Sequence, residues 1–410
     1  KTFYMFISKS NSIENFSENG KKPKRDFILK NIGYSLIIIM NSIACVYNTG
    51  LKKNITGVES KPNSITTIEI PSKFIATRSD YQTKPVPPNS VIMGYLMEGQ
   101  MPTEAQFKKM THVGISFLQA TNNRGEISMT TGWENLNKVV ASAHANDVKA
   151  LISFGGGGFK VTSELMGVKD NRHNLIRNII KFIRDNDLDG FDCDWEPSWI
   201  NNKSKMEKIN NAITNYYIMF IKEFREALDK EFGKGNKIFT AAILNANSIW
   251  YSNKKQIAHF PQNGWWHYLD WVSLMNYDND LGSKHATFES VFGPEGSVSY
   301  WTSFGIPQSK IVTGIPFYAR AGWGEEFLTY EDIISMNPSI PDTLDFVLHS
   351  KSRLGSKKEY GFNGVSTVVR KVKEGKKLNL TGVMFWRLAG DVPVDHEKSL
   401  LRAMSRELKR

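Results

Sequence analysis

The sequence predicts an α/β fold in which parallel strands close into a (β/α)8 barrel, and three observations carry that expectation. From Val91 onward, short apolar β-rich runs alternate with amphipathic helical stretches. The runs number eight, and the links between them are short. Eight such units over about 320 residues match the size of a closed barrel. An open doubly wound sheet is the alternative, because strand pattern alone does not establish closure.

The strands are expected at Val91–Tyr95, His112–Leu118, Lys149–Phe154, Phe191–Glu196, Ile238–Leu244, Trp271–Met275, Ile311–Pro316 and Val383–Trp386. Between them Thr103–Met110, Trp133–Asn146, Asn174–Asn186 and Met206–Phe232 read as helices. Leu136, Val139, Val140 and Ala143 recur at helical spacing, as do Ile176, Ile179, Ile180 and Ile183. In such a barrel the functional side chains gather at the C-terminal ends of the strands.

Before this body lies a leader, residues 1–45. KKPKRDFILK precedes an apolar stretch from Ile32 to Ala44 that is too short to span a bilayer. This pattern implies export. Ser42-Ile43-Ala44-Cys45 is similar to a bacterial lipobox, which implies lipidation of Cys45 and attachment to the cell envelope; an ordinary cleaved signal is the alternative. Residues 46–89, rich in Asn, Ser, Thr, Lys and Pro, read as a tether, and 90–410 as the catalytic body.

Composition narrows the function classes. The net charge is +11, but residues 1–90 hold 13 Lys/Arg against 6 Asp/Glu, so the other 320 residues carry only +4. No basic stripe with interleaved aromatics is present, which argues against a nucleic-acid partner. Two cysteines, Cys45 and Cys193, make no disulfide framework, and Cys193 reads as a small core residue.

The fourth strand carries the chemistry. It reads Asp189-Gly190-Phe191-Asp192-Cys193-Asp194-Trp195-Glu196. Side chains alternate along a strand, so Asp192, Asp194 and Glu196 share a face and Asp189 does not. Like charges this close raise at least one pKa. A carboxyl kept protonated in this way suits general acid catalysis. Carboxylates can also bind Mg or Ca, but no further cluster at a strand end completes a shell, so no metal or cofactor is expected.

This run resembles the DxxDxDxE signature of glycoside hydrolase family 18, the chitinase family. Ser153-Phe154-Gly155-Gly156 is similar to that family's SxGG, and Met275-Asn276-Tyr277-Asp278 to its MxYD. Gly314-Ile315-Pro316-Phe317-Tyr318-Ala319-Arg320 is similar to GxPxYGR with Ala319 for Gly, and Trp386 stands where the family places a Trp. The ordered set covers residues 91–395.

The resemblance implies hydrolysis of β-1,4 linkages between N-acetylglucosamine units, in chitin or its oligosaccharides, by substrate-assisted retention. Glu196 would be the acid, Asp194 would hold the acetamido N–H, and Asp192 would share a proton with Asp194. Tyr277 would position the acetamido oxygen, Asp278 would bind a sugar hydroxyl, and Trp386 would form the floor. Ser153 would support the acids, and Gly155 and Gly156 would make the turn beneath them. Asp189 belongs with that support in the motif, though its parity favours local hydrogen bonding. Tyr95 either lines the site or packs. Met275, Tyr318, Arg320, Trp199 and Trp323 are groove candidates, and Trp250, Tyr251, Trp265 and Trp266 are weaker ones.

Arg387 departs from the Glu common at that place. Only about 40 residues separate Arg320 from Phe362, so the family's small α+β insertion is expected to be reduced or absent, giving an open groove suited to endo cutting. Two other readings stay open. One is an endo-β-N-acetylglucosaminidase acting on N-glycan chitobiose cores, against which Trp195 stands. The other is a non-catalytic chitin-binding lectin, against which the retained Asp192, Asp194, Glu196 and Tyr277 stand. A monomer is expected.

Overall fold

A computed structural model describes residues 81–157, 162–195, 203–245, 264–279, 284–321, 327–349 and 358–410. The leader with Cys45 and the tether up to residue 80 lie outside them, as do Glu196, Trp199, Trp250, Tyr251 and Trp323.

The eight strands are β1 (Val91–Met97), β2 (His112–Ala120), β3 (Lys149–Gly155), β4 (Gly190–Asp194), β5 (Ile238–Leu244), β6 (Trp271–Met275), β7 (Ile311–Pro316) and β8 (Gly382–Trp386). Each pairs in parallel with the next, and β8 returns to β1 through Val91 opposite Gly382. The barrel is closed, which excludes the open doubly wound sheet.

Closure divides the apolar residues into two sets by strand parity. Val91, Met93 and Tyr95 pack inside with Ala242, Leu244, Trp271, Met275, Val312 and Met384. Ile92, Leu96, Ile115, Ile152 and Phe154 belong to the larger cluster under the helices. In α1 (Glu104–Phe107), Thr103 and Gln106 form a reciprocal capping box, and only Phe107 is buried. Helix α2 (Leu136–Ala145) buries the expected Leu136, Val139, Val140 and Ala143. Helix α3 (Lys169–Asp185) starts earlier than its periodicity suggests but buries the expected isoleucine stripe. Each such Ile contributes roughly 1.5–3 kcal/mol, so a charge at Ile179 would break this wall. Helix α4 (Lys203–Phe232) is the long one.

Three connections bear on the sequence expectation. Among the described residues, the link from β5 to β6 carries only a 3-10 turn, Trp265–Tyr268, in which Trp265 and Trp266 are core residues and not groove aromatics. The β7–β8 link holds a ladder of Tyr318–Ala319 with Leu328–Thr329, a helix Tyr330–Met336, and a hairpin of Phe346–His349 with Lys358–Gly361. The insertion is therefore reduced and not absent. It is followed by α5 (Val365–Lys377), and α6 (Leu400–Leu408) ends the chain.

The third connection is the segment that leads into β1. Residues 81–89 read as tether because they are polar and Pro-rich, yet they bond to the barrel. Tyr81 donates to Asp229 (2.5 Å), Lys310 donates to Thr83 (2.8 Å), and the Asn89 amide donates to the Leu380 carbonyl (2.8 Å). Val86 packs on the interior cluster. This strap closes the N-terminal end of the barrel.

Candidate active site

Strand β4 alternates as its sequence requires. Phe191 turns outward onto Phe224 of α4, with ring centroids 4.3 Å apart, and Cys193 is buried in the same outer cluster. Asp192 and Asp194 turn inward. Asp192 is fully buried and accepts three hydroxyl bonds from three strands: Tyr95 on β1 (2.9 Å), Ser153 on β3 (2.9 Å) and Thr240 on β5 (2.6 Å). Burial pushes its carboxyl up, and the three donors oppose that shift. Burial, followed by the nearby Asp192 and Asp194, raises the Tyr95 phenol, which stays a donor. Tyr95 thus both packs and lines the site.

Asp194 sits one step nearer the mouth, 4% exposed. Its carbonyl accepts the Gly156 amide at 2.8 Å. The chain leaves β3 through Gly155 at φ +115° and Gly156 at φ +84°. A Cβ on Gly155 would lie 2.3 Å from the Asp194 carbonyl oxygen, so only glycine fits between these strands.

The turn after β6 is held from several sides. Asn245 donates to the carbonyls of Met275 (2.9 Å) and Tyr277 (2.7 Å). Asp278 adopts φ +53°, and its amide donates to Nδ1 of His285 at 3.1 Å. Its carboxylate is gripped by Arg320, Nε to Oδ1 at 3.0 Å and Nη2 to Oδ2 at 2.8 Å, with Tyr318 also donating to Oδ1 at 3.0 Å. Burial alone would raise this carboxyl, and the bidentate Arg320 guanidinium opposes that shift. Tyr318 and Arg320 are thus clamps on Asp278 as well as wall residues.

A cavity of about 250 Å³ opens here. Tyr95, Asp194, Met275, Tyr277, Asp278, Tyr318, Arg320 and Trp386 all line it. Trp386 stacks on Phe117 (5.7 Å between centroids, planes 24° apart) and leans on Tyr95 (5.6 Å). Arg387 also reaches this cavity.

Asp189 does not belong to the site. It lies at the opposite end of β4, bonded to His144 (2.8 Å), Lys149 (2.9 Å) and the Ala150 amide (2.9 Å). Its odd parity and its place before the strand put it at the N-terminal rim. Sequence reasoning missed Phe117, Thr240 and His285. Thr240 was findable, since it is the residue that β5 sets beside Asp192. His285 was not, because nothing in the motif signals the loop that brings it back.

Comparison with known proteins agrees with this architecture. The profile named Glycosyl hydrolases family 18 matches residues 91–391. A class V chitinase of Lotus japonicus is 23% identical over 319 residues, covering 68% of this chain and 77% of that protein. A chitinase from Bacteroides thetaiotaomicron superposes with a TM-score of 0.60 at 24% identity, over 78% of this chain and 96% of that one. A class V chitinase from Nicotiana tobaccum, solved in complex with NAG4, superposes with a TM-score of 0.62 at 20% identity, over 78% and 99%. The profile spans well over half of the sequence and every barrel strand, so the chain belongs to glycosyl hydrolases family 18.

Proposed function

We propose that this glycoside hydrolase cleaves β-1,4 linkages between N-acetylglucosamine units of chitin or chito-oligosaccharides, with the substrate's own acetamido group as nucleophile. One observation carries the reading. Asp194, Tyr277, Asp278 and Trp386 meet around a single cavity at the C-terminal end of the barrel, with Asp192 buried behind Asp194. The names of the relatives support the same substrate class.

In this mechanism Glu196, two residues beyond Asp194 on the same parity, protonates the glycosidic oxygen. The acetamido carbonyl closes on the anomeric carbon to give an oxazolinium ion, and the leaving sugar departs with the proton. Asp194 holds the acetamido N–H and stabilises the cation. Tyr277 donates to the acetamido oxygen and sets its line of attack. Water then opens the ring, giving up its proton to Glu196. Asp192 stays behind Asp194 and shares its proton. Trp386 supplies an apolar floor to the sugar. The reduced insertion favours an open groove and endo cutting. Export, lipidation of Cys45 and a monomeric state complete the proposal, on the sequence pattern alone.

The deciding experiment is a product assay on chitin oligomers beside a high-mannose glycoprotein, with Glu196→Gln as control. Oligomers should be cleaved with retained anomeric configuration, and the variant should lose roughly 10²–10⁴-fold in kcat. Cleavage of the glycoprotein alone would move the reading to the chitobiose core, oligomer binding without cleavage to a lectin, and an unimpaired variant would remove Glu196 as the acid.

A further inference from the structure

We propose that His285, as a neutral imidazole with its lone pair on Nδ1, is a positioning residue that fixes the Tyr277–Asp278 peptide and so aims the Tyr277 hydroxyl. The inference rests on the role given to Tyr277 above and adds a residue outside its motif.

The argument begins with the backbone. Asp278 stands at φ +53°, a conformation that a non-glycine residue holds only when its surroundings insist. Two bonds from one residue supply that insistence. The Asp278 amide donates to His285 Nδ1 at 3.1 Å, and the next amide, Asn279, donates to the His285 carbonyl at 2.9 Å. An amide donor needs a lone pair opposite it, so Nδ1 carries no proton and the ring hydrogen is on Nε2. Nδ1 also lies 3.2 Å from Asp278 Oδ1. That contact would become an ion pair on protonation, but only by giving up the bond from the Asp278 amide.

His285 is itself held from behind. It is fully buried against the Tyr318 ring, with centroids 4.9 Å apart. The following carbonyl, Ala286, accepts from Asn363 (2.9 Å) and from the buried Lys371 of α5 (2.8 Å). Lys371 also donates to Asn363 Oδ1 at 2.7 Å. Helix α5 thus locks the His285–Ala286 segment, and that segment locks the turn. The carboxylate of Asp278 is clamped separately by Arg320 and Tyr318. The backbone and the side chain of this turn therefore have different keepers: Asn245 holds the carbonyl side of the Tyr277–Asp278 peptide and His285 its amide side, while Arg320 and Tyr318 hold the carboxylate.

Two similar variants test this. His285→Asn places an acceptor oxygen where Nδ1 sits, whereas His285→Gln places its polar end where Nε2 sits. Both are measured by steady-state turnover of chitin oligomers and by hydrogen exchange of residues 276–280. The Asn variant should stay within about threefold of the parent in kcat, with slow exchange retained. The Gln variant should lose tenfold or more in kcat with KM within about twofold, and residues 276–280 should exchange faster. Equal kcat in the two variants, or unchanged exchange in Gln, would overturn the proposal. If the parent chain itself fails to cleave the oligomers, the function proposed above falls, while the exchange data still decide whether His285 holds the turn.

Discussion

Thr240 donates its hydroxyl to Oδ1 of Asp192 at 2.6 Å, leaving Oδ2 to Tyr95 and Ser153. The two residues lie side by side on β5 and β4. Their bond is the shortest of the three that offset the burial of this carboxylate.

Thr240→Val keeps the shape and removes that donor. The expected loss is about 1–3 kcal/mol, the cost of leaving a buried acceptor without one of its donors. Burial already holds the folded-state pKa of Asp192 above its ordinary value. Its stability contribution is therefore largest below the unfolded pKa and is lost as pH rises through the folded one. The variant raises the folded value further, so its deficit should shrink as pH falls toward the ordinary carboxylate range. Denaturant midpoints measured across pH check this; a deficit that grows on acidification would refute it.

Arg320→Gln should cost about 3 kcal/mol, because it strands the largely buried Asp278 carboxylate without its bidentate partner. Asp278→Asn combined with Arg320→Gln should cost clearly less than the two single changes added together. Urea denaturation of the four chains gives the coupling, and simple additivity would show that the clamp is not a unit.

Gly155→Ala should lower stability by at least about 2 kcal/mol and abolish turnover. The new methyl meets the Asp194 carbonyl, and φ +115° is strained for any side chain. Gly375→Ala in α5, where an added Cβ meets only ordinary contacts at 3.5 Å from Leu380, is the control. If Gly155→Ala melts with the parent, the close approach of β3 to Asp194 is not obligatory.

The barrel was legible because closure imposes two periodicities at once, and both are written in the chain. The alternation of β1 and β4 sorts Tyr95, Asp192 and Asp194 inward and Ile92, Phe191 and Cys193 outward. The site was legible as far as it stands on strands. Tyr277, Asp278, Tyr318, Arg320 and Trp386 meet at one mouth because each ends a strand or follows one directly. Asp189 is adjacent to the acids in sequence but, as its parity suggests, bonds locally, because the five residues of β4 separate it from the mouth. His285, Asn363 and Lys371 were invisible for the opposite reason. They are distant in sequence, and only the packing of α5 against the loop after β6 brings them to the turn.

The strap of residues 81–89 has a practical meaning for anything attached ahead of it. Its bonds reach Leu380 and Lys310, just before β8 and β7, and Asp229 in the last turn of α4. The incoming polypeptide is therefore gripped at the end remote from Trp386 and Tyr277. A fusion partner or support joined upstream of Tyr81 would load the heel of the barrel, and the strap would carry that load before it reached the residues of the cavity.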